Sequence, residues 1–249
     1  MKIGAQFYTV REYCKDLDSF AETLKKVADI GYEYVQISGT CAFEAEWLKT
    51  ELDKNGLKCV LTHTAPDKIV GDTAAVIADH DVFGCRCVGL GWNAFNADKA
   101  AEELDAFVEK FGPAAKALRD GGKYFMYHNH NQEFIKLDGK IILKHLAERF
   151  APDELGFTVD TYWVQRGGAD PAWLLEEMKG RTPVIHLKDH TFDAKMAVVG
   201  EGNINFDRVF KAAEANGTEY MLVEQDDCYG EDPFACLKRS YQNLKTLGF

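Results

Sequence analysis

The sequence predicts an α/β fold in which eight parallel strands close into one barrel with helices between them, the (β/α)8 architecture. Short apolar runs alternate with longer amphipathic runs along the whole chain, which is the pattern of repeated strand–helix units. Eight such short runs are present, and the length of 249 residues is close to the ~250 residues typical of one such barrel. We therefore expect residues 1–249 to form a single domain.

Each predicted strand is a short apolar run bounded by turn residues. The eight strands are Lys2–Phe7, Tyr34–Ile37, Lys58–Thr62, Arg86–Gly89, Lys123–His128, Gly156–Val159, Val184–Lys188 and Met221–Glu224. The same alternation also fits an open doubly wound sheet, but no Gly-x-Gly-x-x-Gly follows any of these strands. Regular alternation with short connections favours the closed barrel.

Each predicted helix is an amphipathic run that ends near Gly, Asn or Pro. The eight helices are Asp18–Ile30, Phe43–Asn55, Thr73–Phe83, Asp98–Leu118, Ile141–Phe150, Ala172–Met178, Asp207–Ala215 and Pro233–Leu247. Asp170 and Pro171 supply an N-cap and a proline at the first helical position. Pro113 lies inside the longest helix and predicts a kink or a break there.

Composition excludes some classes of partner. A net charge of -11 opposes binding to a phosphate backbone, so we expect no nucleic acid partner. No apolar run reaches the length of a membrane span, and the N-terminus lacks a signal-peptide core, which together predict no membrane partner and a cytoplasmic protein. Seven cysteines without a Cys-x-x-Cys pair predict reduced structural thiols. The sequence leaves a homo-oligomer open.

Polar side chains cluster where the last four predicted strands end. They are His128, His130 and Glu133 after strand five, Asp160 after strand six, His186 in strand seven and Glu224 at the end of strand eight. Catalytic groups of barrel enzymes lie at the carboxyl ends of the strands, so these side chains are expected to meet. Buried like charges repel unless a cation or a proton offsets them. The pattern therefore predicts a divalent metal site that suits Mn²⁺, Mg²⁺, Zn²⁺ or Co²⁺ equally.

Strand parity supports this interpretation for strand seven. Val184, His186 and Lys188 share one face, while the other face is wholly apolar and suits packing against helices, so His186 and Lys188 should point into the barrel. Taken singly, Asp160 would be read as a helix N-cap and His186 as a hydrogen-bonded core histidine. Four successive strands with the same feature favour the metal site.

Five motifs carry a resemblance to a known family. They are Gly4-Ala-Gln-Phe-Tyr-Thr-Val-Arg11, Tyr127-His-Asn-His-Asn-Gln-Glu-Phe134, Val159-Asp-Thr-Tyr-Trp163, His186-Leu-Lys-Asp189 and Gly200-Glu-Gly-Asn-Ile-Asn205. On these motifs the whole chain resembles the sugar phosphate isomerase/epimerase family, which are xylose-isomerase-like TIM barrels. The resemblance implies one divalent metal ion held by Glu, Asp, His and Glu from strands five to eight.

Carried over to this chain, the resemblance assigns Asp160, His186 and Glu224 as metal ligands. Relatives place the first ligand, a Glu, within strand five near Tyr127, where this chain has none. Glu133, beyond the strand end, is the favoured substitute, and His128 or His130 is the alternative.

Further side chains near strand ends are candidates for binding the sugar. They are His63, Gln6, Trp92, His128, His130, Trp163 and Lys188. His63 matches a family position that faces substrate, with a core histidine as the alternative. Lys188 would bind a sugar oxygen or act as a base, or else pair with Asp160 or Asp189, and each tryptophan would otherwise be core packing. The Gly200–Gly202 segment predicts either a loop that covers the site or a simple turn.

The function that the resemblance implies is isomerisation or epimerisation of a ketose, keto-sugar or cyclitol through proton transfer next to a carbonyl, by way of an enediolate. Glu224, Glu133 and Lys188 are the catalytic candidates. A metal-dependent dehydratase or lyase that acts on a keto-sugar or keto-glycoside shares the first step, and a non-catalytic sugar-binding protein is the alternative from another class. A DNA-repair endonuclease on this fold would need a basic face, which the charge opposes. No obvious phosphate-cradling loop follows strands seven or eight, which favours a non-phosphorylated sugar.

Overall fold

A computed structural model describes residues 1–249, and its eight main strands form a closed parallel barrel. The first strand pairs with both the eighth and the second, through Lys2 opposite Tyr220 and Gly4 opposite Tyr34, and this closes the cylinder. The remaining strands follow one another in sequence order around it. The strands are Lys2–Gln6, Tyr34–Ile37, Lys58–His63, Cys87–Leu90, Tyr124–His128, Leu155–Asp160, Val184–Leu187 and Tyr220–Val223. The predicted fold is confirmed, and no strand bound shifts by more than one residue.

Helices connect successive strands around the outside of the barrel. The main ones are Leu17–Ile30, Ala45–Asn55, Thr73–Val82, Ala100–Asp120, Ile142–Arg149, Pro171–Glu177, Phe206–Asn216 and Pro233–Thr246. Asp170 caps the sixth of these with Pro171 at its first position, as predicted. Ala100–Asp120 is a single helix that contains Pro113, so the proline does not break it. None of the helices combines the length and the apolar character that crossing a bilayer requires.

Several short elements lie at the end of the barrel where the strands terminate. They are the 3-10 segments Phe7–Tyr13 and Gln132–Phe134, the helices Pro66–Gly71 and Thr161–Arg166, and the two-stranded pairs Lys136–Leu137 with Lys140–Ile141 and Asp189–His190 with Met196–Ala197. Each follows the carboxyl end of a barrel strand. The sequence analysis did not find them, because elements this short give no measurable periodicity. Together they build the walls above the barrel interior.

The core has two parts. A large cluster of 56 buried residues fills the space between strands and helices. A smaller cluster inside the barrel consists of Val60, Leu61, Cys87, Tyr124, Met126, Val184 and Leu222. His128, His186 and Glu224 each follow a member of this inner cluster by two residues, so they share its inward face and form the next layer up. The inner cluster is therefore an apolar base on which the polar site rests.

Candidate metal and substrate site

Four side chains from four adjacent strands converge above the inner cluster. They are His128, Asp160, His186 and Glu224, and one ligand atom from each lies within 4.8 Å of the others. All four are buried. Since zinc–nitrogen and zinc–oxygen bonds are about 2.0–2.2 Å long, ligand atoms on opposite sides of one ion lie about 4 Å apart. The separations of up to 4.8 Å slightly exceed this value, so small inward shifts of the side chains would bring all four onto a single divalent cation.

Hydrogen bonds to the outer nitrogen of each histidine orient the rings. The Nδ1 of His128 donates to the carbonyl of Gly91 at 2.9 Å, and its Nε2 lies 3.3 Å from Asp160 Oδ2. The Nε2 of His186 donates to Gln36 Oε1 at 2.7 Å, and its Nδ1 lies 2.9 Å from Glu224 Oε2. With the outer nitrogens as donors, the inner nitrogen of each ring faces the cluster, as in metal-binding histidines.

The two carboxylates are fixed in the same way, each by one oxygen. Asp160 Oδ1 accepts the backbone N–H of Trp163 at 2.9 Å and so caps the helix Thr161–Arg166. Glu224 Oε1 accepts from the amide of Gln6 at 2.6 Å. The second oxygen of each carboxylate remains directed at the cluster. Asp160 is thus both the N-cap and the metal candidate that the sequence analysis gave as alternatives.

The donor atoms fit a divalent cation. His186 Nδ1 and Glu224 Oε2 are buried and lie 2.9 Å apart, and Lys188 Nζ lies 2.9 Å from the same oxygen, but neither atom makes a well-aligned hydrogen bond. Although burial by itself lowers it, the carboxylates of Glu224 and Asp160 raise the pKa of His186 to about 9. Without a cation this imidazole therefore carries a proton at neutral pH, and a cation would displace it. Two nitrogens and two carboxylate oxygens suit Zn²⁺, Co²⁺ or Mn²⁺ better than Mg²⁺, which prefers oxygen ligands alone.

A buried lysine stands beside the cluster. Lys188 Nζ lies 3.1 Å from Asp160 Oδ2, 2.9 Å from Glu224 Oε2 and 2.9 Å from Asp226 Oδ1. Although burial alone would lower it, these three carboxylates raise the pKa of Lys188, which therefore stays charged. The ammonium offsets part of the negative charge of the site.

A cavity of about 640 Å³ opens above this layer. His128, Lys188, Glu224 and Asp226 line its inner end, whereas Asp160 and His186 lie behind them and do not line it. Its walls include Ser38, His63, Thr64, Gly91, His130 and Trp163, and Tyr8 and Trp92 also line it. The cavity therefore leads from solvent to the candidate metal site.

Three buried polar atoms in the cavity walls have no partner in the protein. They are His63 Nε2, His130 Nδ1 and Trp163 Nε1. Burial, followed by the nearby His128, lowers the pKa of His63 well below its usual value and that of His130 to about 3. Both imidazoles are therefore neutral near pH 7 and able to donate to or accept from hydroxyl groups. Hydroxyl groups of a bound ligand that reached these atoms would satisfy them.

The structure does not bring Glu133 into the cluster. One of its oxygens accepts from the Tyr127 hydroxyl at 2.6 Å and the other from the backbone N–H of His130 at 2.7 Å. The fifth strand ends at His128, and the 3-10 turn Gln132–Phe134 directs Glu133 back onto that strand. The expectation that Glu133 is a ligand or a catalytic group is therefore not met by this geometry. His128, the alternative left open, lies in the cluster instead.

The other predicted residues divide into two groups. His63, Trp92, His128, His130, Trp163 and Lys188 line the cavity. Gln6 does not line it, because it is fully buried behind Glu224 and holds that carboxylate. Lys188 pairs with Asp160, one of the two partners weighed for it, and not with Asp189.

Sequence reasoning missed Asp226, Gln36 and Tyr8. The alternation of side chains along a strand could have indicated two of them, Asp226 and Gln36. Asp226 follows Glu224 by two residues, and Gln36 is the one polar residue between the apolar Val35 and Ile37 in a buried strand. Tyr8 follows the first strand directly and carries no pattern that marks it as a wall of the cavity.

Comparison with known proteins gives a family and several structural neighbours. The family model of the xylose isomerase-like TIM barrel matches residues 24–239. A sugar phosphate isomerase/epimerase from Parabacteroides distasonis ATCC 8503 superposes with a TM-score of 0.84 at 22% identity, over 99% of this chain and 94% of that one. A second from the same organism has a TM-score of 0.79 at 26% identity, over 98% and 97% of the two chains.

An L-ribulose 3-epimerase is a more distant neighbour, with a TM-score of 0.73 at 16% identity, over 99% of this chain and 94% of that one. No curated protein matches in sequence.

Proposed function

The chain belongs to the family of xylose isomerase-like TIM barrels, and from that membership we propose that it is a divalent-metal-dependent isomerase or epimerase of a ketose or related sugar. The observation that carries the proposal is the convergence of His128, Asp160, His186 and Glu224, each fixed by an outer partner and directed at one point. The similarity to sugar isomerases and epimerases, including an L-ribulose 3-epimerase, supports the same reaction class.

The residues at the inner end of the cavity would divide the chemistry. A divalent cation held by the four ligands would polarise a sugar carbonyl and its neighbouring hydroxyl. Glu224, held rigidly by Gln6, is the proposed base for the proton on the adjacent carbon. The Lys188 ammonium would donate to a sugar oxygen on which negative charge develops.

Asp226 is the second group proposed to move a proton. Burial, followed by the negative charge of Glu224, raises the pKa of Asp226 to about 6. A carboxyl group with this pKa exchanges protons readily near neutral pH, which suits return of a proton to the substrate. It lines the cavity and contacts Lys188 at 2.9 Å.

Proton exchange with solvent tests the proposed reaction. Protein stripped by a chelator and reloaded with Mn²⁺, Zn²⁺ or Co²⁺ should exchange the hydrogen beside the carbonyl of a turned-over ketose for deuterium in D₂O, followed by proton NMR. Glu224→Gln should lose the exchange by at least about 10²-fold, the usual contribution of a positioned acid or base. His186→Ala should lose it to a similar extent because it removes a metal ligand. The matched controls His145→Ala and Glu214→Gln, outside the cavity, should retain it.

Three outcomes would count against the proposal. Full activity of the chelated protein would exclude metal dependence. Turnover with complete retention of the original hydrogen would replace proton transfer with a hydride shift between carbons. Elimination of water or of a sugar instead of isomerisation would assign the chain to the lyases, which share the first proton transfer.

A further inference from the structure

The backbone amides that would bind a phosphate in this fold are already occupied. Barrel enzymes that bind phosphate commonly do so with the loops after strands seven and eight. In the loop after strand seven, the N–H groups of Gly200, Gly202 and Ile204 all donate to the buried carboxylate of Asp189, at 2.9, 2.9 and 3.2 Å. A side chain at position 202 would overlap that carboxylate, so the glycine is required for the close approach.

Asp189 thus acts as an internal anion in a backbone nest, the kind of concavity that otherwise binds phosphate. The backbone N–H of His190 also donates to it, at 2.8 Å. After strand eight, the N–H of Gln225 donates to the Thr9 hydroxyl and that of Tyr229 to Asp227 Oδ1. These amides are therefore not free for a ligand.

The cavity also lacks a cation that is free to bind a phosphate. Lys188 is the only lysine or arginine among the lining residues, and three carboxylates surround it. Arg11 lies outside the lining and stacks on Tyr8, with its guanidinium carbon 4.2 Å from the ring centroid. Its Nη1 donates to the carbonyls of Tyr8 and Asp226. A phosphate group away from the candidate metal site would therefore gain little electrostatic attraction here.

Two aromatic side chains of the cavity lining face solvent. Trp92 is 58% exposed and Tyr8 is 38% exposed, although large apolar side chains of this kind are usually buried. Deeper in the cavity, Trp163 already packs against His130, with ring centroids 5.0 Å apart. The volume of about 640 Å³ lies within the range of cavities that take ligands larger than one sugar ring. The cavity therefore has a polar inner part and a separate outer part with aromatic surfaces.

Building on the ketose chemistry proposed above, we propose that the substrate is an uncharged ketose that carries a second sugar ring, and not a sugar phosphate. The inner sugar reaches Lys188 and Glu224, and the outer ring packs against Trp92 and Tyr8. The apolar C–H face of a pyranose complements the negative face of an aromatic ring, and the wall hydroxyl and imidazole groups need no charged partner.

Three ketoses that share one fructose unit test this substrate class by titration calorimetry on the metal-loaded protein. They are fructose, fructose 6-phosphate and isomaltulose. Fructose 6-phosphate carries a phosphate, and isomaltulose carries a glucosyl ring, on the same oxygen of the fructose unit. Lactulose and turanose place the second ring on other oxygens. At least one two-ring ketose should bind about tenfold more tightly than both fructose and fructose 6-phosphate, the gain expected from one aromatic contact.

Substitution of the outer aromatic residue locates the second ring. Trp92→Ala should weaken binding of the two-ring ketose at least fivefold more than it weakens binding of fructose. Trp92→Phe should restore most of this difference in affinity. Phe192→Ala removes an aromatic residue that is 93% exposed but does not line the cavity, so it is the matched control. Equal losses for one-ring and two-ring ketoses in Trp92→Ala would overturn the assignment.

Tighter binding of fructose 6-phosphate than of every two-ring ketose, or no binding of any two-ring ketose, would also overturn it. Binding does not require turnover, so the two proposals fail separately. A bound two-ring ketose without proton exchange contradicts the reaction and leaves the substrate class standing. Proton exchange on fructose, without tighter binding of any two-ring ketose, contradicts the substrate class and leaves the reaction standing.

Discussion

At residue 128 a histidine lies near the point in strand five where the family resemblance led us to expect a glutamate. Its Nε2 and Asp160 Oδ2 lie 3.3 Å apart, and its Nδ1 proton is engaged by the Gly91 carbonyl. An imidazole in this place removes one negative charge from the site, and the ammonium of Lys188 offsets another. Both effects lower the attraction for a hard cation and favour a metal that accepts nitrogen ligands.

Metal affinity distinguishes His128 from Glu133. His128→Ala removes a ligand atom, so we expect the dissociation constant for Zn²⁺ or Mn²⁺ to rise at least about 10–100-fold, the size of effect seen even for groups that only support a ligand. Glu133→Gln leaves the four ligand atoms in place, so its dissociation constant should change less than threefold. Competition with a chromophoric chelator measures both. Weakening in Glu133→Gln that equals that of His128→Ala would return Glu133 to the ligand set.

The sequence predicted Asp160, His186 and Glu224 as candidates because each lies at or near the end of a strand whose direction and parity follow from local pattern, and the structure brings all three together. It did not distinguish His128 from Glu133. That choice depends on a 3-10 turn and on a hydrogen bond between Tyr127 and Glu133, which are contacts of tertiary structure. Gln6 shows the same limit. Its position near a strand end suggested that it binds the sugar, but its side chain instead donates a hydrogen bond to Glu224.

At the scale of elements, the helix Thr73–Val82 is tied to the third strand by one buried histidine. His80 Nδ1 donates to the carbonyl of Val76 at 2.7 Å, and its Nε2 lies 2.9 Å from the Thr62 hydroxyl. The next residue of that strand, His63, lines the cavity. The eight strands and eight helices were predictable because each is long enough to show a hydrophobic period in the sequence. The contact between His80 and Thr62 joins two separate elements, and the periodicity of either one carries no information about it.

Burial lowers the pKa of His80 to about 4, below its value of 6.5 in an unfolded chain. As the pH falls, the unfolded chain therefore binds the proton first, and the free energy of unfolding decreases between about pH 6.5 and pH 4. The shift corresponds to roughly 3 kcal/mol at its full extent. His80→Gln should remove this share of the pH dependence, measured by urea unfolding at pH 7.5, 6 and 4.5.

His145→Gln, on the helix Ile142–Arg149, is the histidine-to-glutamine control for that measurement. It should unfold with the pH dependence of the wild type. The same acid sensitivity in His80→Gln as in the wild type would show that His80 does not govern the effect.

At the scale of the whole molecule, the candidate site draws on all eight strands and the loops that follow them. The four clustered side chains come from strands five to eight. Gln6 of the first strand, Gln36 of the second and the carbonyl of Gly91 after the fourth hydrogen-bond to them, and His63 of the third lines the cavity. Gln36 and His186 join opposite parts of the barrel through a 2.7 Å hydrogen bond. Binding of a cation would therefore depend on closure of the complete cylinder.

That dependence predicts a thermodynamic link between metal and global stability. The unfolded chain does not hold the four ligands together, so free metal at about 100 times its dissociation constant should stabilise the folded state by about 2.7 kcal/mol. For a chain of this length, that corresponds to a rise in Tm of roughly 5–10 °C. Scanning calorimetry with Zn²⁺ or Mn²⁺, and again after a chelator is added, measures the shift. His186→Ala should lose most of it and Glu214→Gln, on an exposed helix face, should keep it. An undiminished shift in His186→Ala would mean that the metal stabilises the protein from a different site.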